Sequence, residues 1–188
     1  SPGRLALGYP ALYILYRILD NIAPQRILEF GLGESTKITS QYLMANPGTE
    51  LQIVEQDENW LNFFSQNSFD VKKYTTILPI EQQTIAGKPS YIYSNLEATI
   101  GNRPYNLIIV DGPWASDTHS RPQIVEIVQN NMLCDQFAIL IDDYDRKGER
   151  QTVARLCSLL DQKGIKYNTG IYEGVKQTML ICSSEYQF

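Results

Sequence analysis

"ILEFGLGESTKIT", running from Ile27 to Thr39, decides the fold. A short apolar run over Arg26 to Phe30 ends in two glycines one residue apart, Gly31 and Gly33. Straight after, Ser35 to Ala45 sets Ile38, Tyr42 and Met44 among polar residues, and Asn46-Pro47-Gly48 stops it. We read a strand, a tight turn and a helix. Glycine suits such a turn because it tolerates positive φ and lets a ligand approach the backbone without meeting a side chain.

The alternation continues outward. Leu51 to Glu55 reads as a second strand, Glu58 to Ser68 as a helix, and Val71 to Leu78 as a third strand closed by Pro79. Strands joined by helical crossovers run parallel with right-handed connections. Upstream, Leu12, Leu15, Leu19 and Ile22 recur at helical spacing from about Pro10, and Pro24 ends that helix. Downstream, "NLIIV" (Asn106 to Val110) and "FAILI" (Phe137 to Ile141) have the continuous apolar character of strands buried on both faces. Helical patterns span Pro122 to Met132 and Arg150 to Gln162. Lys166 to Tyr172 and Gln177 to Cys182 flank Glu173-Gly174 and predict a closing antiparallel hairpin. Residues 79–104 carry loop signals at Glu81-Gln82-Gln83 and Gly87-Lys88-Pro89, with a short helix or strand around Tyr91 to Leu96. The expectation is one α/β domain over 1–188, with a helical segment (1–24) ahead of a core (25–188).

Composition narrows the classes of function. With 188 residues, 43% hydrophobic and 20% charged, the chain can bury a sizeable core. No apolar run approaches the ~20 residues that span a bilayer, and signal-peptide features are missing, so a soluble cytoplasmic protein without a membrane partner is expected. A net charge of −5 with scattered Lys and Arg argues against nucleic acid. Cys134, Cys157 and Cys182 lie far apart in apolar segments, as buried thiols do in a reducing compartment. Ser1 rather than Met begins the sequence, and Ser1-Pro2-Gly3 reads as a loop, as in a processed product or excised domain.

Ligands of doubly wound sheets bind at the carboxyl ends of the strands, beside the first strand-to-helix turn. Glu29 closes the first strand, and Glu55 closes the second, where an acid can accept hydrogen bonds from both ribose hydroxyls of an adenosine. The third position of G-x-G-x-x-G falls on Thr36, which disfavours a dinucleotide and a nucleotide-dependent oxidoreductase. Farther on, "IIVDGPW" and "ILIDDYD" end buried strands with Asp111, then Asp142 and Asp143. Two readings of these acids stand. Asp111 can terminate its strand in a turn with Gly112 and Pro113, while Asp143 or Asp145 caps the next helix. Alternatively, the three carboxylates converge on Mg²⁺, the counter-ion that three like charges need.

"LEFGLGEST" followed by "IVEQD" resembles the first two motifs of class I S-adenosylmethionine-dependent methyltransferases, with Ser35 where many members carry a third glycine. The resemblance covers nearly the whole chain. It implies a Rossmann-like, mostly parallel seven-stranded sheet with a C-terminal antiparallel hairpin and helices on both faces. It places Glu29 near the methionine amino group, Gly31, Gly33 and Ser35 under the cofactor, Glu55 on the ribose, Gln56 or Asp57 at the adenine, and Asp111 close by. "IIVD" with "LIDDY" is similar to metal-dependent O-methyltransferases of sugars in natural-product glycosides, which implies Asp111, Asp142 and Asp143 as Mg²⁺ ligands. Their base aspartate corresponds to Pro113 here. "VDGP" and "FGLG" are similar to proteins related to plant polysaccharide 4-O-methyltransferases.

The expected function is O-methylation of a small-molecule or carbohydrate hydroxyl, with Asp111, Asp142 and His119 as the catalytic candidates. His119, the only histidine, lies in the loop "WASDTHSRP" and reads as a general base or as a surface residue; Asp117 is the other candidate. Arg121 suits an anionic group on an acidic sugar. Trp114 either stacks on a sugar or packs on its own domain. Tyr9, Tyr13 and Tyr16 form a substrate wall or, more naturally, a helix face packed in the core or at an interface. At this length the acceptor site comes from the amino-terminal segment, the loops after the fourth and fifth strands, or a partner chain, as in a homodimer. The rival reading is a non-catalytic adenosine-binding or partner-binding domain of the same fold.

Overall fold

A computed structural model describes residues 7–188, so the expected loop at Ser1-Pro2-Gly3 lies outside the described residues. Pro10 sits in the first turn of helix α1 (Tyr9–Ile22), where its missing N–H costs nothing. The helix ends on Ala23 at φ 48°, one residue before Pro24. It buries Ala11, Ile14, Leu15, Ile18, Leu19 and Ile22. The spacing of Tyr9, Tyr13 and Tyr16 puts all three on the opposite, solvent-facing side, so they do not pack in the core of this chain.

Strand β1 (Arg26–Phe30) leads through the glycine turn into α2 (Glu34–Ala45), then β2 (Glu50–Glu55), α3 (Glu58–Asn67) and β3 (Thr75–Ile77). The third strand is shorter than the sequence suggests. Asp70 and Val71 fold back on Lys72 and Thr75 through side-chain hydrogen bonds, so Lys72–Tyr74 winds into a single 3₁₀ turn. Next comes a segment whose pattern is illegible in sequence: strands β4 (Ile80–Ile85) and β5 (Lys88–Tyr93), a separate antiparallel hairpin, and α4 (Leu96–Ile100). Its two-residue turn, Ala86-Gly87, has positive φ at both positions, as a twist-matched hairpin requires.

Strand β6 (Tyr105–Val110), α5 (Gln123–Gln129), β7 (Leu133–Ile141), α6 (Lys147–Gln162), β8 (Tyr167–Glu173) and β9 (Gln177–Ser183) complete the chain. Helix α5 stops earlier than its apolar spacing implies because the chain turns through Asn131 at φ 57° to start β7. The seven-stranded sheet runs β3-β2-β1-β6-β7-β9-β8, parallel from β3 to β7 and antiparallel at β7·β9 and β9·β8. The side-chain period of two sorts each strand onto two cores. Leu28, Phe30, Ile108 and Val110 pack with α5 and α6 residues such as Ile124 and Leu156. Ile27, Ile53, Leu107 and Ile109 pack against Leu15 and Ile18 of α1, Leu43 of α2 and Phe64 of α3. Helices thus cover both faces, as the sequence leads one to expect.

Topology fixes one edge of the sheet as the candidate for a ligand. Strand order reverses direction between β1 and β6, and the carboxyl ends of strands at such a switch point are where doubly wound sheets bind ligands. Backbone bonds Gly31 N to Val54 O (2.9 Å), Asp111 N to Phe30 O (2.8 Å) and Asp142 N to Val110 O (3.1 Å) carry the ladder past the strand ends. Gly31, Glu55, Asp111 and Asp142 therefore share one edge.

Candidate cofactor and acceptor site

The turn after β1 is held close to the turn after β6. Gly31 has φ +90°, and a Cβ there would lie 3.2 Å from the backbone of Asp111 and Gly112, so both backbone angle and space demand glycine. Gly33 has extended backbone, and a Cβ there would meet nothing within 4 Å. Facing them, the Tyr93 hydroxyl reaches under Gly112 and donates to Gln56 Oε1 at 3.1 Å. Tyr93 is buried, and burial together with the charges of Glu55 and Asp111 lifts its phenol well above the ordinary range, against the pull of Arg121 and the Gly31 backbone.

Glu55 ties this turn down. Its Oε2 accepts from Leu32 N (2.9 Å), and its Oε1 accepts from Gln56 N (2.7 Å) and Asp57 N (2.9 Å). A carboxylate offers about four acceptor positions, so one is left for a ribose hydroxyl rather than two. Asp57 is spent differently: its carboxylate caps α3 by accepting from Asn59 N (2.9 Å) and Trp60 N (3.1 Å). The Trp60 indole N–H in turn donates to Leu32 O (2.7 Å).

Glu29 lies apart from these groups. Wholly buried, it accepts hydrogen bonds from Ser35 (3.2 Å), Thr36 (2.8 Å) and Thr39, all in α2. Glu29 and Ser35 thus bind each other, where the resemblance puts both beside the cofactor. Burial raises the Glu29 pKa, and the three hydroxyls offset only part of that rise.

The far acids do converge: Asp111, Asp142 and Asp143 each offer an oxygen within 4.8 Å of the others. Neither Asp143 nor Asp145 caps α6; Asp145 Oδ1 accepts from Gln177 N (3.2 Å) instead. Cations already reach all three acids. Lys176, in the β8–β9 turn, pairs with Asp142 Oδ2 and with Asp143 Oδ1 (3.1 Å). Arg121 pairs with Asp143 Oδ2 (3.0 Å) and Asp111 Oδ1 (3.6 Å), and donates to the Asp142 carbonyl (3.1 Å). Arg146 adds a third cation on Asp143 (2.9 Å). A fourth carboxylate, Glu149, lies 3.9 Å from Arg121. Arg121 is buried here at φ 53° and so is not presented to an anionic substrate.

The acids differ in state. Burial would raise Asp143, but Arg121, Lys176 and Arg146 hold it below the carboxylate range. Asp111 is pushed up to about 8 by desolvation and by the charges of Asp142 and Asp143, against Arg121 and Lys176. Lys176 is raised: burial opposes its charge, and the aspartates outweigh burial. Asp111 is also the most accessible of the three, its side chain 22% exposed against 1% for Asp142 and 6% for Asp143.

His119 is not brought to this cluster. Its backbone N–H donates to Gln151 Oε1 of α6 (3.2 Å) and its carbonyl accepts from Ser90 (2.8 Å). Desolvation and nearby Arg155 lower its pKa. Among the described residues no hydrogen bond joins it to Asp111 or Asp142, and Asp117 is exposed on the same loop. Trp114 is exposed and meets Tyr91 edge-on at 5.8 Å, at the mouth of the Asp111 turn. Tyr93, Lys176 and Glu149 escaped the sequence reading, whereas Arg146 is an arginine a few residues after "LIDDY". Only Lys176 left a signal: a hairpin returning antiparallel beside β7 must place its turn at the carboxyl edge, next to Asp142.

No protein-family model matches the chain, and no curated protein does. Solved structures match over most of its length. The O-methyltransferase TomG from Streptomyces achromogenes, involved in tomaymycin synthesis and solved with SAM, is 15% identical at a TM-score of 0.64, covering 95% of this chain and 82% of its own. An O-methyltransferase from Bacillus cereus in complex with SAH is 12% identical at 0.64, with 95% and 82% covered. Precorrin-6y C5,15-methyltransferase from Geobacter metallireducens is 11% identical at 0.54, with 92% and 86% covered. At such identities the likeness is one of architecture: the chain has the fold of S-adenosylmethionine-dependent methyltransferases.

Proposed function

We propose that the chain binds S-adenosylmethionine over the Gly31 turn and transfers its methyl group to a hydroxyl of a small molecule or carbohydrate. The observation that carries this reading is the edge itself, where Gly31, Glu55 and Asp111 close three neighbouring strands at the topological switch point. Two of the similar structures are O-methyltransferases by name, which favours an oxygen acceptor.

Transfer from a sulfonium is an in-line displacement: the S–CH₃ bond breaks as the O–CH₃ bond forms, and the acceptor hydroxyl gives up its proton. Asp111 suits that proton, being accessible and having a pKa pushed up to about 8. Asp142 is enclosed, and its charge is, after desolvation, one cause of the raised Asp111 pKa. The remaining acceptor position on Glu55 Oε2 takes a ribose hydroxyl, and the Trp114–Tyr91 pair offers a wall for a ring. Mg²⁺ belongs to this reading only where it displaces Lys176 and Arg121 from the aspartates.

Isothermal titration of the chain with S-adenosylhomocysteine tests the reading. Saturable heat is expected, with affinity falling about tenfold or more in Glu55→Gln, as when a charged acceptor is lost. Absence of heat in the wild type overturns it. A second reading, a non-catalytic adenosine-binding or partner-binding domain, draws on Glu29 and Asp142, whose carboxylates are taken up by the protein itself. Heat without methylation of any hydroxyl in an acceptor screen would favour that one.

A further inference from the structure

The aspartate cluster has ion-like spacing and yet is already neutralised from within. Four carboxyl groups, Asp111, Asp142, Asp143 and Glu149, face the cations Arg121, Lys176 and Arg146. Lys176 differs from the two arginines because its compact ammonium touches Asp142 and Asp143 together, with Asp111 in electrostatic reach. Its side chain is 11% exposed. The fold delivers it there: β9 pairs antiparallel with β7, Met179 opposite Ile141, so Thr178 continues the register opposite Asp142, and Lys176, just before β9, reaches back along its long side chain to Asp142 and Asp143. Thr178 locks the same carboxylate by donating to Asp142 Oδ1 at 3.1 Å, and Tyr144 N closes the hairpin onto β7 through Gln177 O at 2.8 Å.

We propose that Lys176 is the resident cation of this cluster, its ammonium holding the place among Asp111, Asp142 and Asp143 that a divalent ion would need, so that the edge works without a metal. Octahedral Mg²⁺ demands carboxylate oxygens and waters at close range. An ion entering here meets a fixed positive charge on two of its three ligands and must expel it. Lys176 is thus a positioning residue: it sets the charge and orientation of the aspartates without contacting an acceptor. The inference concerns the crevice of the proposed function but does not need methyl transfer to be correct.

The test uses the full chain and Mn²⁺ alone, followed by loss of the free-ion electron paramagnetic resonance signal. Wild type and Lys176→Arg should show no saturable binding, whereas Lys176→Met should take up Mn²⁺ at least about tenfold more tightly, because a unit charge within a few ångströms has gone. Equal affinity in wild type and Lys176→Met overturns the proposal, as does tight binding by Lys176→Arg. Where Lys176→Met does not fold, Lys176→Gln replaces it, and saturable stoichiometric binding by the wild type is alone enough to overturn. Calorimetry of the same samples with S-adenosylmethionine reads the methyl-donor reading separately, so failure of one leaves the other standing.

Discussion

Glu29 and Glu55 look alike in sequence, each an acid closing a strand, and the structure separates them by what donates to them. Glu55 takes three backbone N–H groups of the turns after β1 and β2; Glu29 takes three hydroxyls from α2. The burial of Glu29 has a pH signature. Its folded-state pKa is raised above 4.5, so the folded chain holds the proton more firmly than the unfolded chain does. The stability this group contributes therefore falls as pH rises above 4.5 and through the folded value. Urea denaturation of wild type and Glu29→Gln over about pH 4 to 8 should show wild type losing ground to the variant across that window. A wild-type advantage that grows with pH would contradict the burial argument. The acid at this position was legible; its destination was not, because three small hydroxyls in a helix carry no pattern that names their partner.

At the scale of elements, the β1 turn, the β6 turn and the end of β5 press together at Gly112. A Cβ on Gly112 would fall on the Tyr93 hydroxyl and lie 3.0 Å from Gly31 N. Gly112→Ala should lose about 1–3 kcal/mol, the usual cost of overpacking, read as a lower urea midpoint at unchanged slope. Adding Tyr93→Phe should restore part of that loss, because it removes the hydroxyl while the Gly31 contact stays. An additive double variant would mean that the two residues do not meet. The long parallel elements were legible because burial on both faces writes continuous apolar runs. The β4–β5 hairpin was not: Glu81, Gln82, Gln83 and Thr84 are exposed, so no apolar alternation marks β4. Its Ala86-Gly87 turn also lacks the Asn-Gly or Asp-Gly signature.

On the scale of the whole molecule, Arg121 joins the loop after β6 to the end of β7 and the first turn of α6. It is buried between Asp111, Asp143 and Glu149. Arg121→Met should destabilise the chain by about 3–5 kcal/mol, since removing one partner strands buried charges. Salt should restore little of it, because screening acts on exposed charges. Thermal melts at low and high ionic strength check both points, and a loss below about 1 kcal/mol would mark the pairs as surface-like.

By itself the sequence determined the order of the strands and helices of the main sheet outside residues 79–104, the glycine turn after the first strand, and which acids stand at strand ends. Those features are local: a period of two or of 3.6, a glycine where φ is positive, a polar residue where an apolar run stops. Only the tertiary structure decided which donors each acid meets, and that Lys176 and Arg121 pair with the aspartates. Such pairings join residues dozens of positions apart, and they depend on strand order and on the last few ångströms of packing, which composition and spacing do not encode.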